Sequence, residues 1–317
     1  MSGEEFINVL KPGDVFRDWL IDVVGDKVHD KRCKVLVYRY SASHTVCRYE
    51  FKGEHYGVFA KFYNEPRGGN RRYDTGRAMD NEFEKLKRIE KLIDIPRPLA
   101  KKERFNCALV TEDVQGKPLY RYIHNEDGLF DKLTSLAHIL RTLHDGTRSS
   151  YKKEREFGNF HKILGQIRLN KSVKERFDRH LGDWWYNERS DWSNGCFIHN
   201  DANPANYLFR HGKIFALDFE SSQDHAHPVH DLGIVTSELK KYFGWNEQNP
   251  AKAEPYIGHF LWHYSRGEKD FNRVTRALPF FMSLGLLRMA RWGGSDEQRS
   301  YLLREAEACL SSGLNAN

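Results

Sequence analysis

His199-Asn200-Asp201-Ala202-Asn203-Pro204-Ala205-Asn206 is followed twelve residues later by Asp218-Phe219-Glu220, at the end of a strand-like run over 214–219. The first stretch reads H-x-D-x-x-x-x-N and the second D-F-E. Phosphoryl transfer needs in-line positioning, metal ions on the phosphate oxygens and a carboxylate facing the incoming hydroxyl, and little covalent help. These residues supply such parts: Asp201 to orient an acceptor hydroxyl and take its proton, Asn206 to offer magnesium an amide oxygen, and Asp218 to offer it a carboxylate. By itself H-x-D-x-x-x-x-N fixes three positions and also describes an Asn/Asp-rich turn. The companion Asp218, the strand before it and Asp231-Leu232-Gly233 favour the chemistry.

On these residues the chain resembles the aminoglycoside phosphotransferase and choline kinase superfamily. His199-Asn200-Asp201 and Asp218-Phe219-Glu220-Ser221 are especially similar to choline and ethanolamine kinases, and Pro228-Val229-His230-Asp231-Leu232-Gly233 continues the likeness. It extends over about 196–240, with weaker support over 34–145. It implies an α+β, protein-kinase-like fold of two lobes: a small antiparallel-sheet N-lobe with one main helix, and a larger, mainly helical C-lobe. It further implies ATP and Mg2+ as cofactors, catalysis by Asp201, metal ligation by Asn206 and Asp218, and structural support of the site by His199 and Asp231. His144, in Leu143-His144-Asp145, is expected to be structural.

Working toward the N-terminus, Lys61 lies in Val58-Phe59-Ala60-Lys61, the third strand-like run, where a kinase carries its phosphate-binding lysine. Its partner should sit on the next helix, which offers Glu82, Glu84 and Glu90; Glu82 is preferred because E-x-x-x-L-x-x-I (Glu82, Leu86, Ile89) matches the family's helix, and the other two read as a solvated face. The first hairpin, 40–45, departs from the family in having no glycine. Ser41 and Ser43 are small enough to let backbone N–H groups approach phosphate. The adenine is expected at the backbone from Thr111 to Val114, with Glu112 or Asp113 near the ribose. Arginines 67, 71, 72 and 77 read as a solvated loop, and the six tryptophans of the C-terminal half as mostly core.

Elsewhere, residues 1–30 show near-helical spacing (Phe6, Val9, Leu10, then Phe16, Trp19, Leu20, Val23), which predicts a helical N-terminal extension. Strands are predicted over 34–40, 45–51, 56–63 and 107–111, and a helix over 80–92 that ends before Pro96. Helices are predicted over 130–143, 172–188, 256–264, 271–292 and 297–309. The expected domains are 1–30, an N-lobe over 31–112 and a C-lobe over 113–317. The 317 residues are 39% hydrophobic, enough for a sizeable core, and the formal charge of +6 favours anionic ligands only weakly. Five scattered cysteines without a C-x-x-C spacing argue against a disulfide framework or zinc cluster. The acidic start MSGEEFINVL lacks the features of an export signal, and no run is long enough to span a membrane, so a cytoplasmic location is expected.

The reading is therefore a phosphotransferase with an alcohol group as acceptor, acting on a small molecule such as an amino alcohol, an aminoglycoside or a sugar. A small atypical protein kinase is the alternative of the same class. Against it, 218–231 leaves no room for a long activation segment and D-F-E replaces D-F-G. A nucleotide-binding pseudokinase is the alternative of a different class, and the presence of Lys61, Asp201, Asn206 and Asp218 opposes it. No nucleic-acid-binding module accompanies the basic loop.

Overall fold

The computed structural model describes residues 4–40, 44–64, 74–187, 194–292 and 294–315. They form two compact units, Met1–Gln115 with Phe215–Glu220, and Gly116–Ile214 with Ser221–Asn317.

In the first unit β1 (Glu5–Leu10), β2 (Val35–Tyr40), β3 (Thr45–Phe51), β4 (Tyr56–Phe62), β5 (Pro98–Lys102) and β6 (Ala108–Glu112) make one sheet in the order β1-β2-β3-β4-β6-β5. Every pairing is antiparallel. Alternation decides which face is covered: Val35, Val37, Cys47, Tyr49, Phe51, Val58 and Ala60 are buried, and they meet Leu20, Ile21 and Val24 of helix α1 (Val15–Val24). The Asp14 side chain caps α1, accepting from the N–H groups of Phe16 and Arg17. Residues 1–30 are thus not a helical extension. Glu5–Leu10 is an edge strand paired with β2, and α1 covers the sheet.

Helix α2 (Thr75–Ile89) starts on an Asp74 cap, five residues before the predicted start, so Arg77 is helical and not part of a loop. Arginines 67, 71 and 72 lie outside the described residues. The buried positions of α2 are Met79, Glu82, Leu86 and Ile89, an i, i+3, i+7, i+10 stripe. Glu82 therefore occupies a core-facing position where an apolar residue would be the default.

The second unit is helical: α3 (Leu119–Asn125), α4 (Leu129–Gly146), α5 (Lys153–Gly165), α6 (Lys171–Trp185), α7 (Val229–Lys241), α8 (Ala253–Tyr264), α9 (Glu268–Trp292) and α10 (Asp296–Asn315). Short strands interrupt it. β7 (Lys117–Pro118) pairs with β9 (Tyr207–Arg210), which also neighbours β10 (Lys213–Ala216), and β8 (Cys196–Ile198) pairs with β11 (Gln223–Ala226). The expected N-lobe boundary at 112/113 falls after Gln115, and Phe215–Glu220, which carries Asp218, clusters with the first unit. α7 and α9 approach closely through two glycines. A Cβ on Gly233 would lie 2.5 Å from the Phe281 backbone, and one on Gly285 would lie 2.3 Å from Ser237 Oγ. The five cysteines are free and buried. No described helix is long and apolar enough to cross a membrane.

Candidate active site

In the first unit, Lys61 on β4 stands opposite Val46 of β3 and Leu109 of β6. Its ammonium lies 3.0 Å from Glu82 Oε2, 2.9 Å from Asp218 Oδ1 and 2.8 Å from Glu220 Oε2. Glu82 is 4% exposed and also accepts from the Tyr63 hydroxyl. Glu84 is turned to Lys101 and Glu90 to Lys87. His44 Nε2 lies 3.0 Å from the Glu220 carboxylate, and Lys85 Nζ donates to the Glu220 carbonyl at 3.0 Å, fixing the segment that carries both acids.

Burial would depress the Lys61 ammonium, but Glu82, Asp218 and Glu220 outweigh it and hold it well above the ordinary lysine range. Burial pushes the Glu82 carboxyl up, against the pull of Lys61. Burial also opposes the charge on Glu220, yet the His44 hydrogen bond and Lys61 bring that carboxyl down to about 2. Asp218 adopts φ +57°, left-handed backbone that a non-glycine residue enters only at some cost.

Oxygens of Glu82, Asp218 and Glu220 lie within 4.8 Å of one another, a hard-donor set suited to magnesium. Glu82 is committed to Lys61 and Tyr63. Asp218, with 43% of its side chain exposed, and Glu220, with 28%, are the two placed to hold a cation.

In the second unit the loop after β8 carries Asp201. Its Oδ1 accepts from Arg288 on α9 at 3.1 Å, and its Oδ2 from Asn203 Nδ2 at 3.1 Å and Asn206 Nδ2 at 3.2 Å. Asn206 Nδ2 also donates to the Asp201 carbonyl at 2.9 Å. With its amide N–H groups turned to Asp201, Asn206 has Oδ1 as the atom to offer a cation.

The loop is held from beneath. Asp231, fully buried in the first turn of α7, accepts from the backbone N–H of His199 at 2.7 Å and of Asn200 at 2.8 Å. Its Oδ2 lies 3.1 Å from His144 Nε2, and His144 Nδ1 lies 2.9 Å from the Tyr264 hydroxyl. Burial opposes charge on Asp231, but the His144 hydrogen bond and nearby histidines keep its carboxyl below the usual range. Asn200 is at φ +62°, so this loop too contains a left-handed residue. The Asp201 N–H points to His199 Nδ1 at 3.3 Å.

Glu112 ends β6 facing Arg97 at 2.8 Å, Asp113 faces Arg48 at 2.7 Å, and Val114 follows in an irregular segment. Both acids expected near ribose thus already have arginine partners. Ser41 and Ser43 lie outside the described residues.

The sequence reading missed Glu220, His44, Tyr63 and Arg288 as members of these clusters. For Glu220 a signal existed: it is a second acid two residues from Asp218, separated from it by a Phe219 that is fully buried. The described tryptophans of the C-terminal half are less buried than expected, and Trp192 lies outside the described residues. Of Trp184, Trp185, Trp245, Trp262 and Trp292, Trp184 alone is buried, and Trp292 lines a cavity beside Asp201.

Residues 49–268 match the sequence model of the phosphotransferase enzyme family, and the chain belongs to that family. It is a phosphotransferase with an alcohol group of a small molecule as acceptor. Solved structures share its fold at low identity. An ethanolamine kinase of Plasmodium vivax matches with TM-score 0.59 and 14% identity, covering 87% of this chain and 81% of that one. A choline/ethanolamine kinase family protein of Mesorhizobium loti gives 0.60 and 14%, covering 88% and 91%. An aminoglycoside phosphotransferase solved with ADP and hygromycin B gives 0.61 and 13%, covering 94% and 98%. None of the curated proteins compared matches this chain.

Proposed function

We propose that this protein is a cytoplasmic, ATP- and Mg2+-dependent kinase that phosphorylates a hydroxyl of a small molecule. The observation that carries the reading is the charge imbalance at Lys61: one ammonium within 3.0 Å of three carboxyl groups, two of them partly exposed. His44 also faces Glu220 and Lys85 its carbonyl, and the partly exposed Asp218 and Glu220 still present hard oxygen donors within 4.8 Å of one another for a further cation. A divalent ion escorting a nucleotide is such a cation.

In this reading Lys61, oriented by Glu82, takes the nucleotide phosphates. Asp218 is a magnesium ligand with Glu220 beside it, and Asn206 offers Oδ1 as a magnesium ligand. Magnesium, when bound, neutralises charge on the phosphate oxygens. The backbone over 111–114 receives the adenine, and Ser41 and Ser43 are assigned to the phosphates. Asp201 accepts the hydrogen bond of the incoming hydroxyl and takes its proton. Arg288 and Asn203 fix the Asp201 carboxylate, and Asp231 fixes the loop on which it sits. The first unit, to Gln115 and with Phe215–Glu220, is the nucleotide-binding part and the second unit the acceptor-binding part.

The test is ATP consumption and product mass for wild type and Asp201→Asn with magnesium, across amino alcohols, aminoglycosides, sugars, nucleosides and a generic protein substrate. A small hydroxyl compound should be phosphorylated by wild type, with kcat lowered about 10³-fold in the variant. Equal turnover by both proteins would remove Asp201 from the mechanism, and phosphorylation of the protein substrate alone would move the enzyme to another acceptor class.

A further inference from the structure

Beside Asp201 the second unit encloses a cavity of about 470 Å3 between α3, α7 and α9, within the ~300–1,000 Å3 of small-molecule sites. Its charges cancel locally. Among the residues lining it, the carboxylates are Asp201 and Glu238, and each has its own cation: Arg288 at 3.1 Å from Asp201, and Lys241, one turn along α7, at 3.8 Å from Glu238. Burial pushes the Glu238 carboxyl up despite Lys241, which makes it a still weaker anchor for positive charge.

The remaining walls are rings, aliphatic groups, uncharged amides and the Ser237 hydroxyl. Tyr120, His124 and Tyr242 form an aromatic row with centroids 6.1 and 4.7 Å apart. Trp292, 79% exposed, lines the same cavity, as do Asn203 and Asn246. A polycation needs an excess of carboxylates, and a site whose charges cancel leaves no surplus negative charge for a quaternary ammonium. Flat rings with amides that both donate and accept instead suit C–H faces alternating with hydroxyls.

Resting on the phosphotransferase reading, we propose that the acceptor is an uncharged polyhydroxylated molecule, a sugar or polyol, and not an aminoglycoside or a quaternary amino alcohol.

The test uses the full chain with ATP and magnesium against three sets: neutral sugars and polyols, aminoglycosides, and choline-like alcohols. Product is read by mass spectrometry, and ligand binding by thermal shift without nucleotide. Phosphorylation confined to the neutral set, with a KM that does not change between low and high salt and rises roughly tenfold in Trp292→Ala, supports the proposal. Turnover of an aminoglycoside or choline-like alcohol in preference to every neutral compound overturns it and leaves the kinase reading intact. Thermal stabilisation by a polyol, lost in Trp292→Ala, without turnover of any set supports the pocket assignment and overturns the kinase reading. No stabilisation and no turnover by any polyol overturns the proposal.

Discussion

Two acidic clusters, one in each unit, differ in how far their charge is answered. Around Asp231 every partner is in place: two backbone N–H groups and His144 converge on a carboxylate with no exposure, and Tyr264 backs the histidine. Around Lys61 one ammonium faces three carboxyl groups, Asp218 and Glu220 reach solvent, and Asp218 is held at a positive φ. A buried polar network with all partners present maintains shape, because each group would be costly to strand. A partly exposed acidic network that also carries backbone strain gains little stability from its arrangement, which points to ligand chemistry. The same residue type, aspartate, thus has opposite consequences at 218 and 231.

The largest expected effect separates the two directly. Asp218→Asn keeps a side chain that tolerates left-handed backbone and removes one of the surplus charges. Activity should fall about 10³-fold while the denaturation midpoint stays or rises. A loss of stability comparable to that of a core variant would show that Asp218 is structural, and the contrast between the clusters would collapse.

Asp231→Ala should do the reverse in kind. It strands two backbone N–H groups and a buried histidine, at a cost of about 3 kcal/mol in denaturant unfolding. Activity lost with unchanged stability would instead make Asp231 a participant in the reaction.

Within the first cluster, Lys61→Ala should lower kcat/KM roughly 10²-fold. Glu82→Gln should lower it roughly tenfold by loosening Lys61, and Glu84→Ala should leave it alone, since Glu84 faces Lys101 on the surface. Equal losses from the Glu82 and Glu84 variants would mean that the buried pair does not orient the lysine.

How much of this was readable in the chain follows the same division. H-x-D-x-x-x-x-N, Asp218, Asp231-Leu-Gly and the lysine in its strand are local patterns, and the structure brings Lys61 to Asp218 and Asp231 to the Asp201 loop. His44 and Glu220 are 176 residues apart, so their pairing has no local mark. Arg288 reaches Asp201 across 87 residues, through a helix approach that depends on Gly233 and Gly285.

Elements were missed for identifiable reasons. β1 has helix-like apolar spacing, and only its pairing with β2 makes it a strand. β5 opens on Pro98, tolerated as the first residue of an edge strand. α7 is buried on nearly every side from Val229 to Ser237, so it shows no amphipathic stripe for periodicity to detect.

The smallest effect concerns the layer beneath Asp231. His227 is fully buried against Phe281, its Nδ1 accepts the Val229 N–H at 3.1 Å, and its backbone N–H donates to Glu156 Oε1 at 2.9 Å. Burial first, and then His230, Arg273 and His144, drive its pKa well below the ordinary value of 6.5. The folded protein therefore keeps His227 neutral while the unfolded chain protonates it. Its contribution is fully present above about pH 6.5 and lost below it, at about 1.4 kcal/mol per pH unit until the folded pKa is reached. His227→Asn retains an acceptor for the Val229 N–H but cannot be protonated. Unfolding free energies of wild type and variant should converge as pH falls from 6.5 to 5. Parallel curves would mean that His227 is charged in the folded protein, and the second cluster would then carry an unanswered charge of its own.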